Sequence, residues 1–306
     1  MTATRPPRAR PPGDDDERRR RRREAGGDRG KPATRSDHRD LGPRILAAIP
    51  IALFAVLIVS VGGAWFALGA LLLGFVAMHE LFGLVARVRP VKLGGFVTLA
   101  ALVAAAHWGD HRHVVMVLCA SFPLVFALAL VRPGRANVSW AIAVTYLGIL
   151  WIGLPLAHAV FLRELPHGAG LLAVVLIGTF VGDSAAYSGG RAWGRRRLAP
   201  GISPNKTLEG LVAGIAAGTF FFWLFAFAYQ EWFRPGWTAL VVGLCVALAA
   251  PVGDLFQSLV KRDLGVKDAG RLLGPHGGVL DRLDAVFFSV VAGYYAVVAV
   301  VPFAHT

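Results

Sequence analysis

The sequence predicts an all-α polytopic membrane protein, and two observations lead to this fold class. First, 55% of the residues are hydrophobic and the mean hydropathy is +0.56, values typical of membrane proteins rather than soluble domains. Second, the apolar residues form long runs without the alternation of period two that marks a membrane β-barrel. Helices satisfy their own backbone hydrogen bonds in lipid, so they are the expected spanning elements.

The N-terminal segment, residues 1–42, differs from the rest in composition. It is rich in Pro, Gly, Asp and Arg, includes an arginine run at 18–23, and has no apolar run that could form a core. We expect a disordered basic tail followed by one transmembrane domain at 43–306. The tail either binds anionic lipid or is a solvated extension that reinforces the topology, and its composition favours the second. Because residues 1–44 carry 14 of the 32 basic side chains, the net charge of +13 does not describe a nucleic-acid-binding surface.

Nine apolar segments follow the tail, and most reach the roughly 20 residues that a spanning helix needs. They lie at about 45–61, 63–86, 93–106, 114–131, 138–160, 170–188, 208–230, 237–257 and 280–302. If the N-terminus is cytoplasmic, the inside loops carry 15 Lys and Arg residues and the outside loops carry 3. The positive-inside rule therefore predicts about nine transmembrane helices, a cytoplasmic N-terminus and an outside C-terminus.

The most informative stretch runs from Ser258 to Asp284 and reads SLVKRDLGVKDAGRLLGPHGGVLDRLD. Its charged and titratable residues are Lys261, Arg262, Asp263, Lys267, Asp268, Arg271, His276, Asp281, Arg282 and Asp284. Charges at a membrane surface are costly unless they bind a partner; cations suit phosphates, and carboxylates suit a hard metal ion. A loop that only anchors two helices needs basic residues, but neither the His-Gly-Gly segment nor the D-R-L-D repeat. The stretch therefore predicts a metal–phosphate site at the bilayer interface.

A second polar cluster, VGDSAAYSGGRAWG, ends the sixth apolar segment. Asp183 and Tyr187 are four residues apart, so they share one face of a helix. The glycines at 189, 190 and 194 predict a tight turn that a ligand can approach closely.

A third cluster, SPNKTLEG, begins the seventh apolar segment on the same predicted cytoplasmic side. Ser203-Pro204 is typical of a turn, and Thr207 is placed to cap the following helix. Glu209 would lie in the first turn of that helix. Lys206 would project beside the positive helix end, which favours phosphate binding.

Carboxylates near the inner ends of the last two apolar segments are candidate metal ligands. Asp254 lies in PVGDLFQS, where an ionisable side chain is a functional candidate by default. Asp281 and Asp284 are three residues apart at the start of the last segment, where they also suit the helix dipole. Three carboxylates together with ligand phosphates fit Mg²⁺, and they leave room for a second cation.

Two other groups leave alternatives open. Glu80, within the second apolar segment, either contacts substrate or a proton path, or is a satisfied polar group between helices. The histidines of HWGDHRH at 107–113 fit a polar outer loop better than a metal site.

The three clusters resemble the motifs of the phosphatidate cytidylyltransferases, also called CDP-diacylglycerol synthases. The signature S-x-V-K-R-x4-K-D-x-G-x2-L-G-x-H-G-G-V-x-D-R-L-D is filled at every position between Ser258 and Asp284. The patterns D-x-x-A-Y-x-x-G-r-x-x-G at 183–194 and S-P-x-K-T-x-E-G at 203–210 precede it in family order. The resemblance covers roughly residues 140–300, whereas earlier residues share only their hydrophobic character with the family.

This resemblance implies a CTP:phosphatidate cytidylyltransferase in the inner (plasma) membrane, with its active site facing the cytoplasm and a homodimeric state. The partners would be CTP, phosphatidate and membrane lipids, with no nucleic acid. The implied Mg²⁺ ligands are Asp254, Asp281 and Asp284. The implied substrate-binding residues are Asp183, which would also support the metal, Tyr187, Lys206, Thr207, Glu209, Ser258, Gly277 and Gly278. The implied catalytic residues are Lys261, Arg262, Lys267, Asp268, His276 and Arg282.

Two alternatives stay open at this point. A polyprenol or phytol kinase would also act on lipid phosphates, but the full signature argues against it. A transporter of an anionic substrate would place charges near the middle of the bilayer, whereas here they gather at one face.

Overall fold

The computed structural model of the protein describes residues 53–132, 136–229, 236–266, 268–270 and 277–301. The predicted tail and two predicted site residues, Lys267 and His276, lie outside these ranges.

Helices make up most of the described chain. They are α1 (Gly63–Leu84), α2 (Lys92–Trp108), α3 (His111–Leu130), α4 (Val138–Glu164), α5 (Gly168–Trp193), α6 (Leu208–Tyr229), α7 (Trp237–Asp263) and α8 (Leu280–Val300). Residues 53–61 are also helical, and a π-helical turn, Ile149–Gly153, interrupts α4. The strands β1 (Arg197–Ala199) and β2 (Ser203–Thr207) join α5 to α6.

The predicted fold class is confirmed, because the chain is an α-helical polytopic membrane protein. Within the described ranges, seven helices are long and apolar enough to cross a membrane: α1 and α3 to α8. The helix α2, with 17 residues, is shorter, as its apolar segment predicted. The number of nine spans and the orientation of the termini stay predictions.

The bundle has a packed interior and an apolar outer surface. Met78, Phe82 and Phe287 are at most 2% exposed, whereas Trp65 and Phe122 are more than 60% exposed. A soluble protein rarely leaves so many large apolar side chains uncovered. Facing acyl chains, the same side chains are in a favourable environment.

Small residues bring α5 and α6 into close contact. A Cβ at Gly210 would lie 2.5 Å from the carbonyl oxygen of Ala186, and one at Gly214 would lie 2.8 Å from that of Gly182. Without side chains at these positions the two backbones approach closely, as is common between membrane helices. The contact fixes the distance between the end of α5 and the start of α6, which are the elements that hold the second and third clusters.

The prediction of a tight turn at Gly189 and Gly190 is wrong. Both residues lie inside α5, and a Cβ at Gly189 would lie 2.6 Å from the Cβ of Ala213 on α6. Their lack of a side chain serves helix packing rather than backbone bending. The helix ends only at Gly194, where the backbone becomes extended.

The turn predicted at Ser203-Pro204 is also wrong, because both residues begin β2. The strands pair antiparallel, with Arg197 opposite Thr207 and Ala199 opposite Ser203. The chain reverses instead at residues 200–202. A two-stranded sheet consists of edge strands, so Pro204 need not donate to a second neighbour. Within the described residues, this small sheet is a departure from an all-helical chain.

Candidate active site

Two side chains hold the hairpin formed by β1 and β2 against the start of α6. Thr207 Oγ1 accepts a hydrogen bond of 3.2 Å from the backbone N–H of Gly210, which confirms the predicted helix cap. The carboxylate of Glu209 accepts from the backbone N–H groups of Arg195 and Arg196 at 3.0 and 3.2 Å. Both side chains thus hold the hairpin in place, and their predicted contact with substrate stays a prediction.

Two contacts join the hairpin to α7. Lys206 of β2 forms an ion pair with Asp254, and both side chains are partly buried. Arg262, near the end of α7, donates from Nε to the carbonyl oxygen of Ile202 at 3.0 Å. The hairpin and the C-terminal half of α7, which are distant in sequence, therefore meet at one place.

Asp281, at the start of α8, binds residues of α7 and of the connection between α7 and α8, here called the signature loop. Its Oδ1 accepts from Gln257 Nε2 at 3.2 Å and from Lys261 Nζ at 2.9 Å. Its Oδ2 accepts from the backbone N–H groups of Ala269 at 2.8 Å and Gly278 at 3.0 Å. A carboxylate offers about four lone-pair sites, so the acceptor capacity of this 10% exposed side chain is filled. The metal-ligand role predicted for Asp281 therefore competes with its role as a loop anchor.

Three other carboxylates converge from three helices. Asp183 on α5, Asp254 on α7 and Asp284 on α8 lie close enough for their charges to interact. Lys206 faces Asp183 as well as Asp254, and Lys261 faces Asp284. Within the described part of the chain, no three His, Cys, Asp or Glu side chains are arranged to hold a metal by themselves. The arrangement instead suits an ion that takes most of its ligands from phosphates and water.

The remaining predicted residues surround this carboxylate cluster. Tyr187 is 70% exposed and lies one helical turn after Asp183. Ser258 on α7 is partly buried, whereas Asp268 and Arg282 are exposed. Gly277 has a φ of +81, a conformation that favours glycine, and its neighbour Gly278 is buried.

Glu80 completes this end of the bundle, and the sequence did not assign it to the site. Its carboxylate accepts hydrogen bonds from the backbone N–H groups of Val279 at 3.1 Å and Leu280 at 2.8 Å. The sequence signal was an acidic residue inside an apolar run, and one of the two readings left open, a satisfied polar group, describes these contacts.

An apolar cavity of about 530 Å³ adjoins the start of α8. Its walls come from the helical segment at 53–61 and from α1, α4, α5 and α8, and include Ile58, Leu156 and Phe180. Near the polar site the lining changes to Val279 and Arg282. The cavity is thus lined by apolar side chains, with Arg282 as the charged residue of its lining.

The other end of the bundle holds a different set of polar residues. Asp110 caps α3 by accepting from the backbone N–H groups of Arg112 at 2.9 Å and His113 at 3.1 Å. His107 lies against Glu164 at the end of α4. These contacts are those of a polar loop, and its location outside the membrane stays a prediction.

The comparison with known proteins agrees with this arrangement. The profile of the cytidylyltransferase family matches residues 42–300. A phosphatidate cytidylyltransferase of Mycobacterium tuberculosis is 29% identical over 294 residues, which is 88% of this chain and 87% of that protein. One from Brucella suis is 31% identical over 248 residues, 81% of this chain and 89% of that protein. One from Staphylococcus haemolyticus is 28% identical over 251 residues, 80% of this chain and 94% of that protein.

The family match covers both the helices that line the cavity and the hairpin, α7 and α8 that hold the charged residues. The chain therefore belongs to the cytidylyltransferase family and is a membrane-embedded nucleotidyltransferase.

Proposed function

We propose that the protein is a CTP:phosphatidate cytidylyltransferase, which makes CDP-diacylglycerol and pyrophosphate from CTP and phosphatidate. One observation carries this proposal: Arg282 lines an apolar cavity inside a membrane protein, and its neighbour Asp281 in the first turn of α8 pairs with Lys261 of the charged site. The charged residues suit the phosphates of a nucleotide, and the apolar cavity suits the acyl chains of a diacyl lipid. The relatives' names point to the same reaction.

In this reaction a phosphate oxygen of phosphatidate attacks the α-phosphorus of CTP. A new P–O bond forms there, the bond from the α-phosphorus to the bridging oxygen of the β-phosphate breaks, and pyrophosphate leaves with that electron pair. Such a transfer needs alignment and charge neutralisation more than a protein nucleophile.

The basic residues would neutralise the phosphates. Lys206 and Lys261 would bind the triphosphate, and carboxylates already hold both of them at the site. Arg282, at the rim of the cavity, would bind the lipid phosphate. Arg262 and Lys267 would add positive charge, and the backbone at 276–278 would approach the phosphates closely.

Mg²⁺ is the proposed cofactor, and the donor chemistry of the site fits it. Asp183, Asp254 and Asp284 offer hard oxygen ligands, and Mg²⁺ needs only one or two of them when phosphates supply others. The bound ion would neutralise charge that develops on the phosphate oxygens. Asp281 would join the ligands only by giving up a hydrogen bond that now fixes the loop.

The proposed setting is the plasma membrane, with nine spans, a cytoplasmic N-terminus and a cytoplasmic active site. Labelling of a cysteine at position 196 by an impermeant reagent added outside intact cells, in a variant without Cys119 and Cys245, would contradict this topology.

The proposed homodimer is tested by the mass of the detergent-solubilised protein. The segment 1–42 is proposed to be a disordered tail, so deleting residues 2–38 should leave turnover within a few-fold.

The deciding experiment is an assay of the purified protein in mixed micelles with labelled CTP, phosphatidate and Mg²⁺. We expect a lipid-soluble cytidine product and an equal amount of pyrophosphate. Diacylglycerol in place of phosphatidate is the matched control, since it lacks the attacking phosphate and should give no product. Phosphorylation of a lipid alcohol, without a cytidine lipid, would instead indicate a lipid kinase and overturn the proposal.

A further inference from the structure

The start of α8 receives its helix cap from a different membrane helix. Glu80 lies near the end of α1, and its carboxylate accepts the N–H groups of Val279 and Leu280, 199 and 200 residues away. The residue is 9% exposed and lies next to His79 in a helix whose other residues are apolar. A buried carboxylate is costly unless it is hydrogen-bonded, so these two contacts account for its presence.

The helix needs this external partner because the residues just before it provide no side-chain cap. Val279, at the cap position, has helical dihedrals, φ −63 and ψ −40, and an apolar side chain, and Gly278 before it has none. Asp281, three residues on, accepts the N–H of Gly278, which is one half of a capping box. The other half, an acceptor for the next free N–H groups, is normally the side chain of the capping residue. Glu80 supplies that half from α1.

The surrounding loop is shaped around the same carboxylate. A Cβ at either Gly270 or Gly278 would overlap with the Glu80 side chain. Gly270 and Gly278 therefore both lie against the carboxylate. They flank the segment 271–276, which lies outside the described residues. Glu80 thus contacts both ends of the loop, as well as the first turn of α8.

We propose that Glu80 is a positioning residue for nucleotidyl transfer, which fixes the start of α8 and thereby the places of Arg282 and Asp284. This inference rests on the proposed function, because it assigns those two side chains to phosphate and metal. Among the described residues, the hydrogen bonds of Glu80 come from backbone N–H groups, so it acts through the helix that it caps. The negative carboxylate at the positive helix end adds a favourable electrostatic contribution.

The first test compares Glu80→Ala and Glu80→Gln with a matched control, Glu164→Gln, at the opposite end of the bundle. We expect kcat to fall about 100-fold in Glu80→Ala, because a misplacement of about 1 Å has an effect of that size, while the KM for CTP changes little. Glu80→Gln retains one acceptor oxygen and should lose less. Glu164→Gln should keep turnover near that of the wild type.

The second test is a rescue that depends on the contact itself. Gly278→Ser alone should lose activity, because its side chain overlaps with Glu80. In Glu80→Ala the space is free, and the serine hydroxyl can cap α8 locally. The double variant Glu80→Ala/Gly278→Ser should therefore be more active than Glu80→Ala. A double variant no more active than Glu80→Ala would overturn the inference that Glu80 acts by capping α8.

Hydrogen exchange separates this inference from the proposed function. In detergent, the amides of Val279 and Leu280 should exchange faster in Glu80→Ala and Glu80→Gln, and not in Glu164→Gln. Unchanged exchange there overturns the inference, whatever reaction the enzyme catalyses. Faster exchange with unchanged kcat removes the positioning role but leaves the cap. If the wild type makes no cytidine lipid, the proposed function fails, and the positioning role with it, while the exchange result still decides the cap.

Discussion

The two ends of the helical bundle both carry ionisable side chains, yet they are organised differently. At the end with the hairpin and signature loop, contacts come from α1, the hairpin, α7 and α8. At the other end Asp110 contacts residues two and three positions away, and His107 pairs with Glu164. The first end joins parts of the chain up to 200 residues apart and pairs carboxylates with lysines. The second end combines a local helix cap at Asp110 with a bond from Arg163 to the carbonyl oxygen of Val59, 104 residues away.

The lesson of this comparison is that charge content alone does not mark the active site. HWGDHRH has more titratable groups than SPNKTLEG. The difference lies in the number of helices that bring carboxylates and cations to one point, and in the glycines that let backbone approach them. The three predictions below measure that difference, beginning with the largest effect.

The largest effect should come from two matched charge removals. Asp254→Asn and Glu164→Gln each keep the side-chain shape and remove a carboxylate with a side-chain partner, which is Lys206 for Asp254 and His107 for Glu164. We expect Asp254→Asn to lower turnover by more than about 10³-fold, because an amide is a poor ligand for a hard cation. Glu164→Gln should stay close to the wild type in the micelle assay.

Both variants must elute as single species in detergent before their rates are compared. Turnover near that of the wild type for Asp254→Asn at saturating Mg²⁺ would remove this residue from the metal site. Equal losses in the two variants would show that the two ends do not differ in function.

A second prediction concerns the two lysines that approach the carboxylates from different elements. Lys206→Ala and Lys261→Ala should each lower kcat/KM for CTP by about 10²–10³-fold, the range for loss of one charge-stabilising donor. If both bind one nucleotide, the double variant should lose less than the product of the single losses. Steady-state kinetics of the four proteins gives the coupling directly.

Arg112→Ala is the control for this cycle, since Arg112 is exposed at the opposite end of the bundle. It should change kcat/KM little. Strictly multiplicative losses for the two lysines would mean that they act on independent steps, contrary to a shared triphosphate site.

Local features of this molecule could be predicted from its sequence. The apolar segments gave the helices, because helix length and hydropathy are properties of neighbouring residues. The cap at Thr207 could be predicted for the same reason, since its partner Gly210 is three residues away. The motif spacing also brought Lys206 and Asp254 into one predicted site, and the structure pairs them.

Features that depend on distant partners could not be predicted. No local pattern indicates that Glu80 accepts from residues about 200 positions later. The glycines at 189 and 190 favour a turn by composition, but packing against α6 decides in favour of a helix. Asp281 is of the right type for a metal ligand, and only the folded loop shows that its oxygens already accept four hydrogen bonds.

The smallest effect should come from Asp110, the cap of α3 at the end without the signature. Its contact with His113, first through the side chain and then through the backbone, lowers the pKa of this carboxyl below its ordinary value. A lowered pKa in the folded protein means that folding favours the charged form. The stabilising contribution is therefore complete above the ordinary pKa of about 3.9 and is lost as the pH falls through the lowered value.

Asp110→Asn keeps an oxygen that can cap the helix and removes the charge, whereas Asp110→Ala removes both. We expect turnover per folded molecule to be unchanged in both variants, and the midpoint of thermal unfolding in detergent at pH 7 to fall slightly, more for Ala than for Asn. The difference between wild type and Asp110→Asn should narrow as the solution is acidified, because the wild-type carboxyl then becomes neutral as well. A difference that widens at acidic pH would contradict the assigned direction of the pKa. A loss of turnover in Asp110→Ala comparable to that of Asp254→Asn would contradict the functional difference between the two ends of the bundle. A carboxylate that caps its own helix would then matter as much as a carboxylate shared between helices.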